Sequence, residues 1–408
     1  MPKPGLQFPI GIEVALLSTI PLIYQVLRNS PAVLTPVLKS TFGLNATYMG
    51  LVASAVPLGA IFSALFAARW VDRYGARPVI LVNALMVVIG AIGFALAQDA
   101  WQLFFARLLI GLGSGAFLGA AMVWVGYHRS IEEFRVYWAE VSAIGRLGTL
   151  GATAPLAMLI ALLGWREALL ALSIVAACVG IVLFFSLSNT KEPGESTAKK
   201  PPVKWRSVFT AFLCTRLWTL MVLLGSITTV VGLWGGPWLI SAYQLSENQV
   251  SWLLSLMAMG FVVGSGGCVA LERFLHGWTM SVLLLASAAI FLLMGLGLMS
   301  AVGAGAWLFV LGFCLAPSTL VIAEVRQMTD KAVLSEALFA STIAFSLGVF
   351  VYQALSGFII DSFALTKTGH HPVESYQALY YIAAILLVFT TVLNNIYRPK
   401  VIETDAKE

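Results

Sequence analysis

Charge is scarce in this chain. Only 11% of its 408 residues are Asp, Glu, Lys or Arg, against about 25% in a soluble globular domain, which excludes an ordinary water-soluble protein. Cysteine and histidine are equally sparse, with four of each. Cys178, Cys214, Cys268 and Cys314 stand far apart in apolar sequence with no C-x-x-C spacing, so neither a disulfide framework nor a structural metal site is expected. There is no nucleotide-binding glycine loop, no H-E-x-x-H and no G-x-S-x-G elbow. No enzyme and no cofactor is expected from such a chain. The pair His370–His371 reads as part of an exposed polar loop.

What is abundant is apolar sequence: 59% of residues are hydrophobic and the mean hydropathy is +0.90. Apolar stretches long enough to cross a bilayer as helices fall at approximately 10–36, 46–68, 79–98, 102–126, 136–160, 167–187, 217–240, 249–271, 279–300, 304–325, 335–361 and 376–397. An all-α polytopic membrane protein with twelve transmembrane helices follows. The first apolar stretch lacks the short core and small-residue cleavage site of a signal peptide, and is read as a retained span. The net charge of +5 reflects the side of the membrane on which Lys and Arg sit, not a nucleic-acid surface. With both termini cytoplasmic, about 18 of the 24 basic residues fall on the cytoplasmic side.

The longest polar segment, "SNTKEPGESTAKKPPVKWR" at 188–206, has the composition of a flexible linker. It divides the chain into a six-span bundle at 1–187, a linker at 188–207 and a second six-span bundle at 208–408. The halves are alike at an offset of about 200 positions, as in Pro36 and Pro237, Gly148 and Gly348, or "FGLNATYMGLVAS" and "YQLSENQVSWLLS". Internal similarity at half-chain spacing marks transporters built from repeats.

Between spans two and three lies "AARWVDRYGARPVIL" (67–81). Its Asp72, Arg73, Gly75 and Arg77 resemble the G-x-x-x-D-R-x-G-R/K-R/K signature of the major facilitator superfamily, with departures at Ala68, Ala76 and Pro78. "RLLIGLGSG" (107–115) is similar to the family's fourth-span R-x-x-x-G-x-G. The resemblance implies two pseudo-symmetric six-helix bundles around a central route. It also implies a gating role for Asp72, Arg73, Gly75 and Arg77, which latch the cytoplasmic side when the protein faces outward. A generic positive-inside loop would need only the basic residues.

Three arginines fall within spans, where each ionised side chain costs roughly 2.5–3.5 kcal/mol unless water, a partner or a substrate compensates. Arg28, with Tyr24 one turn away and Gln25 beside it, is a candidate to face substrate, the alternative being an arginine snorkelling to headgroups. Arg146 belongs to a polar stripe with Ser142, Thr149 and Thr153, and either faces the route or pairs with Glu140. Arg107 heads a stripe with Gly111, Gly115 and Gly119. The resemblance implies coupling or gating, while a tie to backbone carbonyls is the structural alternative. Glu140, the acid well inside a span, is either a proton-coupling group or an arginine's partner. Thr229 is the counterpart of Arg28 in span seven. Trp234, Ser255, Tyr352 and Gln353 complete the candidate lining.

The leading reading is a monomeric secondary transporter in a bacterial inner membrane. By alternating access it moves a small anion, with carboxylates first because the guanidinium fork suits them, coupled to protons or a counter-anion. The alternative is a proton-driven efflux antiporter for drugs or other hydrophobic compounds.

Overall fold

In a computed structural model, residues 10–128, 144–145, 147–187, 210–275, 277–329, 334–366 and 371–397 are described. The described chain is helical. The first span is two helices, Ile10–Asn29 and Pro31–Phe42, and the second and third are Ala46–Tyr74 and Ala76–Leu96. The fourth is Ala100–Gly115 continued by Phe117–His128; the fifth ends in Ala154–Leu163, and the sixth is Trp165–Ser186. Span seven comprises Ala211–Thr229, a π-helical turn Val230–Trp234, and Gly235–Tyr243. Then come Glu247–Leu275, Thr279–Gly295, the pair Ala304–Cys314 and Ser318–Met328, Leu334–Asp361, and Val373–Ile396. Eight apolar stretches among the described residues are long enough to cross a membrane.

Helix starts follow local chemistry. Asn45 and Asp99 accept the N–H groups of Tyr48 and Gln102, each at 2.9 Å, and Thr210 accepts that of Leu213 at 3.1 Å, each satisfying one orphan donor of a first turn. Gly75 at φ 84° and Gly164 at φ 93° make the abrupt turns between spans two and three and between five and six, in a backbone region that glycine enters without penalty. Successive spans therefore run antiparallel. The end carrying Asp72 is called here the near end, and the end carrying Asn45, Gly164 and Asp361 the far end.

The outer surface is greasy: Leu85, Ile89, Phe358, Ile385 and Phe389 are all at least half exposed. Buried positions include Ser54, Ser63, Arg107, Thr219 and Ser287. That inversion suits a solvent of lipid tails, where small and polar residues bring helices together.

The halves repeat at the level of contacts. A Cβ at Gly59 would run into the Leu108 carbonyl, and one at Gly111 into that of Val56. A Cβ at Gly260 would likewise strike the Phe309 carbonyl, and one at Gly312 that of Met257. Spans two and four thus cross as spans eight and ten do, residue for residue at one offset. The fold is the expected pair of pseudo-symmetric six-helix bundles.

Candidate functional site

Two helix breaks face each other at mid-depth. Span one breaks at Asn29–Ser30 because Pro31 starts a new helix. Span seven carries its π-turn over Val230–Trp234, at the position related to that break by the half-chain offset. Helix interruptions leave backbone carbonyls without intrahelical partners, and Arg107 serves those of the first half. Pro31 returns no N–H to the Leu27 carbonyl and Pro57 none to that of Ala53. Arg107, fully buried, donates from Nη1 to Leu27 O at 3.0 Å and from Nη2 to Arg28 O at 3.1 Å and Ala53 O at 3.4 Å. Its Nε donates to Val52 O at 2.8 Å, and its guanidinium lies 5.3 Å from the Phe94 ring centroid. One side chain thus ties spans one, two and four together; this is the tie to backbone carbonyls.

Arg28 is different. It is 4% exposed, with Tyr24 as its electrostatic neighbour. Its Nη1 reaches Gln25 Oε1 at a long 3.4 Å, and its guanidinium carbon lies 4.6 Å from the Phe345 ring centroid, on span eleven of the other half. Nε and Nη2 make no hydrogen bond, and no carboxylate among the described residues pairs with it. Those two nitrogens form one edge of the guanidinium, the edge that grips a carboxylate with two parallel N–H···O bonds.

Beside it, Asn29 donates from Nδ2 to Gln25 O at 3.0 Å, which turns its Oδ1 toward the π-turn. A Cβ on Gly232 would sit 3.0 Å from Asn29 Oδ1 and 3.6 Å from Gln353 Nε2, so the glycine keeps this place open. Asn29 Oδ1 and Gln353 Oε1 are buried without hydrogen-bond partners. Of the candidates read from sequence, the structure gathers Tyr24, Gln25, Arg28 and Gln353 around this point. Arg146 and Glu140 lie outside the described residues.

Other candidates lie elsewhere. Trp234 is 1% exposed and donates from Nε1 to Ser356 Oγ at 2.7 Å, inside the second bundle. Thr229 donates to the Gly225 carbonyl at 2.8 Å. The Tyr352 ring lies over Gly225. Thr229, Tyr352, Trp218, Phe291 and Tyr380 line a separate, almost wholly apolar cavity of about 180 Å³ between spans seven, nine, eleven and twelve. Ser255 meets the other half instead: its Oγ lies 2.8 Å from Thr153 Oγ and accepts the Ala154 N–H at 3.1 Å.

That contact belongs to a closed far end. The Asp361 carboxylate accepts the backbone N–H groups of Ala46 at 3.0 Å and Thr47 at 2.7 Å, across the halves. Gly236 allows the Ala32 carbonyl to approach, and Gly357 that of Ala46. His371 is 6% exposed, with Nε2 3.6 Å from Asp361 Oδ1. The expectation of an exposed polar loop at His370–His371 is corrected for His371: burial under the far-end closure puts its ring against an acid. His370 lies outside the described residues.

At the near end, Asp72 and Arg73 are exposed, and Arg73 lies over the Tyr74 ring at 5.3 Å. Gly75 makes the turn. Arg77 donates to Phe184 O at 2.7 Å, holding span three to the end of span six within one half. Sequence reasoning missed a buried ion pair here, Arg216 Nε to Glu324 Oε2 at 2.6 Å. Asn394 accepts from Arg216 Nη1 and donates to Thr219 Oγ1 at 2.8 Å. Arg216 falls one position before the apolar stretch that marks span seven and Glu324 one before the end of the stretch that marks span ten, so both read as ordinary polarity at a span's end.

Twelve spans in two like halves, meeting at paired helix breaks with an unpaired buried guanidinium, define a carrier-type membrane fold. The chain belongs to the major facilitator superfamily, whose family profile matches residues 17–325. Among similar sequences, a D-xylose transporter of Levilactobacillus brevis is 34% identical over 19% of this chain and 17% of its own length. A 4-hydroxybenzoate transporter of Pseudomonas aeruginosa is 27% identical over 38% of this chain and 35% of its own. An arabinose-proton symporter of Bacillus subtilis is 36% identical over 19% and 17%. The chain thus spans well under half the length of these curated relatives. In fold it is similar to a crystallised mutant of the nucleoside transporter NupG, at TM-score 0.73 and 13% identity over 96% of this chain and 100% of that one. It is also similar to a D-xylose-proton symporter, at TM-score 0.71 and 12% identity over 93% and 97%.

Proposed function

We propose that this protein is a secondary transporter that carries a small carboxylate-bearing anion across a bacterial inner membrane by alternating access. The observation that carries the reading is Arg28, buried at mid-span with its Nε and Nη2 edge unpaired. A guanidinium with no acid beside it among the described residues is costly in that setting, and a carboxylate supplies the missing charge and two acceptors in matching geometry. The hydroxybenzoate-carrying relative supports an acid, and the symporter relative supports protons as the coupling ion. The near end is cytoplasmic in this proposal, as are both termini. The state described is then closed to the outside, with the Asp72–Arg73 latch disengaged.

Purified protein in proteoliposomes tests this. Radiolabelled 4-hydroxybenzoate is expected to enter faster with an inward proton gradient, and Arg28→Gln to abolish that uptake. Proton-dependent dye extrusion untouched by Arg28→Gln would support hydrophobic efflux in its place.

A further inference from the structure

We infer that the carried acid also bears a hydroxyl group, and that Asn29 with Gln353 reads it. This rests on Arg28 as the carboxylate site and adds a second, chemically different point of recognition. Asn29 and Gln353 are 2% and 1% exposed, and each buries a side-chain oxygen with no donor facing it. The orientation of the Asn29 amide is fixed, because its Nδ2 is committed to the Gln25 carbonyl. An acceptor thus points at the open place above Gly232. A buried acceptor without a donor costs free energy; the side-chain groups nearest Gly232 are Asn29 Oδ1 and Gln353 Nε2, and a hydroxyl donates to the first while accepting from the second.

Charge narrows the donor. An ammonium group would share a buried, weakly screened setting with the like-charged Arg28 guanidinium, so an amino acid fits poorly. A neutral hydroxyl brings the proton without the charge. Spacing bears on size as well. Arg28 lies over Phe345, whereas Gln353 is about two turns further along the same helix. The hydroxyl therefore sits at the far end of the solute from the carboxylate, not on the adjacent carbon. Discrimination is expected because a site built around a substrate hydroxyl leaves its own groups unpaired when the analogue lacks it.

The experiment is competition against labelled 4-hydroxybenzoate uptake in proteoliposomes by matched pairs: 4-hydroxybenzoate with benzoate, and 4-hydroxybutyrate with butyrate and 4-aminobutyrate. At least one hydroxylated acid is expected to compete about tenfold or more better than its plain partner. In Asn29→Leu and Gln353→Met that preference is expected to disappear, with competition by the plain acid unchanged. Should Asn29→Leu fail to fold, Gly232→Ala, which fills the open place, and Gln353→Met carry the same test. Equal competition by hydroxylated and plain acids, both lost in Arg28→Gln, would overturn the hydroxyl site and leave the anion reading standing. Uptake of no carboxylate, measured directly with labelled benzoate and labelled 4-hydroxybenzoate, would overturn both.

Discussion

The carboxylate of Asp361 accepts the Thr47 backbone N–H at 2.7 Å, joining the last residue of span eleven to the first turn of span two. It accepts that of Ala46 as well, so one acid caps the start of a helix in the other half, where the helix dipole favours negative charge. Span two carries Asp72 near its opposite end, and span eleven begins at that end. The same helix pair therefore has an acid at each end.

Replacing Asp361 by Asn leaves one acceptor oxygen for the two N–H groups, and the bond that remains is a neutral one, about half as strong as the charge-assisted bond it replaces. The far-end-open population is expected to rise by roughly tenfold. Spin labels at the exposed far-end positions Thr41 and Ser246 would report it as a longer distance distribution. Asp72→Asn is expected to shift that distribution to shorter distances, since Asp72 is exposed in this state and the proposed latch would hold only the far-end-open one.

Arg107→Lys replaces a planar fork with a single ammonium, which cannot reach Leu27, Arg28, Val52 and Ala53 carbonyls together. The Leu27 carbonyl keeps the Ser30 hydroxyl, but the guanidinium's other bonds are lost, at an expected cost of about 2–4 kcal/mol. Thermal unfolding in detergent measures it, and Arg107→Gln should fare no better than Lys.

The glycines spaced by four after Arg107 are not equivalent. A Cβ at Gly111 or Gly115 meets the backbone of span two, whereas at Gly119 nothing lies within 4 Å. Gly111→Ala and its counterpart Gly312→Ala are expected to lower the melting temperature by similar amounts. Gly119→Ala is expected to leave it unchanged or slightly raised, alanine being the better helix former.

The Arg216–Glu324 pair is expected to behave as a coupled unit. Arg216→Met alone leaves an acid facing apolar helices, and Glu324→Leu alone leaves a guanidinium whose side chain is 3% exposed. Each single change should cost more than the double change, because removing one partner strands the other. A double-mutant cycle on thermal stability measures the coupling. Glu324 keeps some access to solvent, so Arg216→Met is the milder of the two.

Much of the fold was legible because bilayer thickness forces helices of a certain length and every backbone group must bond within its own helix. The 200-residue offset was visible through Pro36, Pro237, Gly148 and Gly348, and the glycine crossings make it a structural repeat. The site was only partly legible. Arg28 stood out as a charge among apolar residues. Asn29, its neighbour, did not, since a single amide in a span is common and its meaning depends on the Gly232 π-turn. A π-turn adds one residue to a helical turn and leaves no composition signal. Trp234, expected on the route only from its place in span seven, lies instead among Ser356 and Tyr376. Asp361 and His371 lay at the margin of an apolar stretch, where polarity is expected, and only the closure over Ala46 and Thr47 gives them partners.

The irregular turn in span seven also acts as a spare link in the chain. Wound as unbroken α-helix, the same sequence would swing everything beyond Trp234 by about 100° from its present phase. Trp238 would leave the Tyr380 ring that it now meets edge-on, and Gly236 would no longer receive the Ala32 carbonyl. Span seven is thus two separately phased helical pieces, the second placed to touch both halves at once, through Tyr380 in its own bundle and Ala32 in the other.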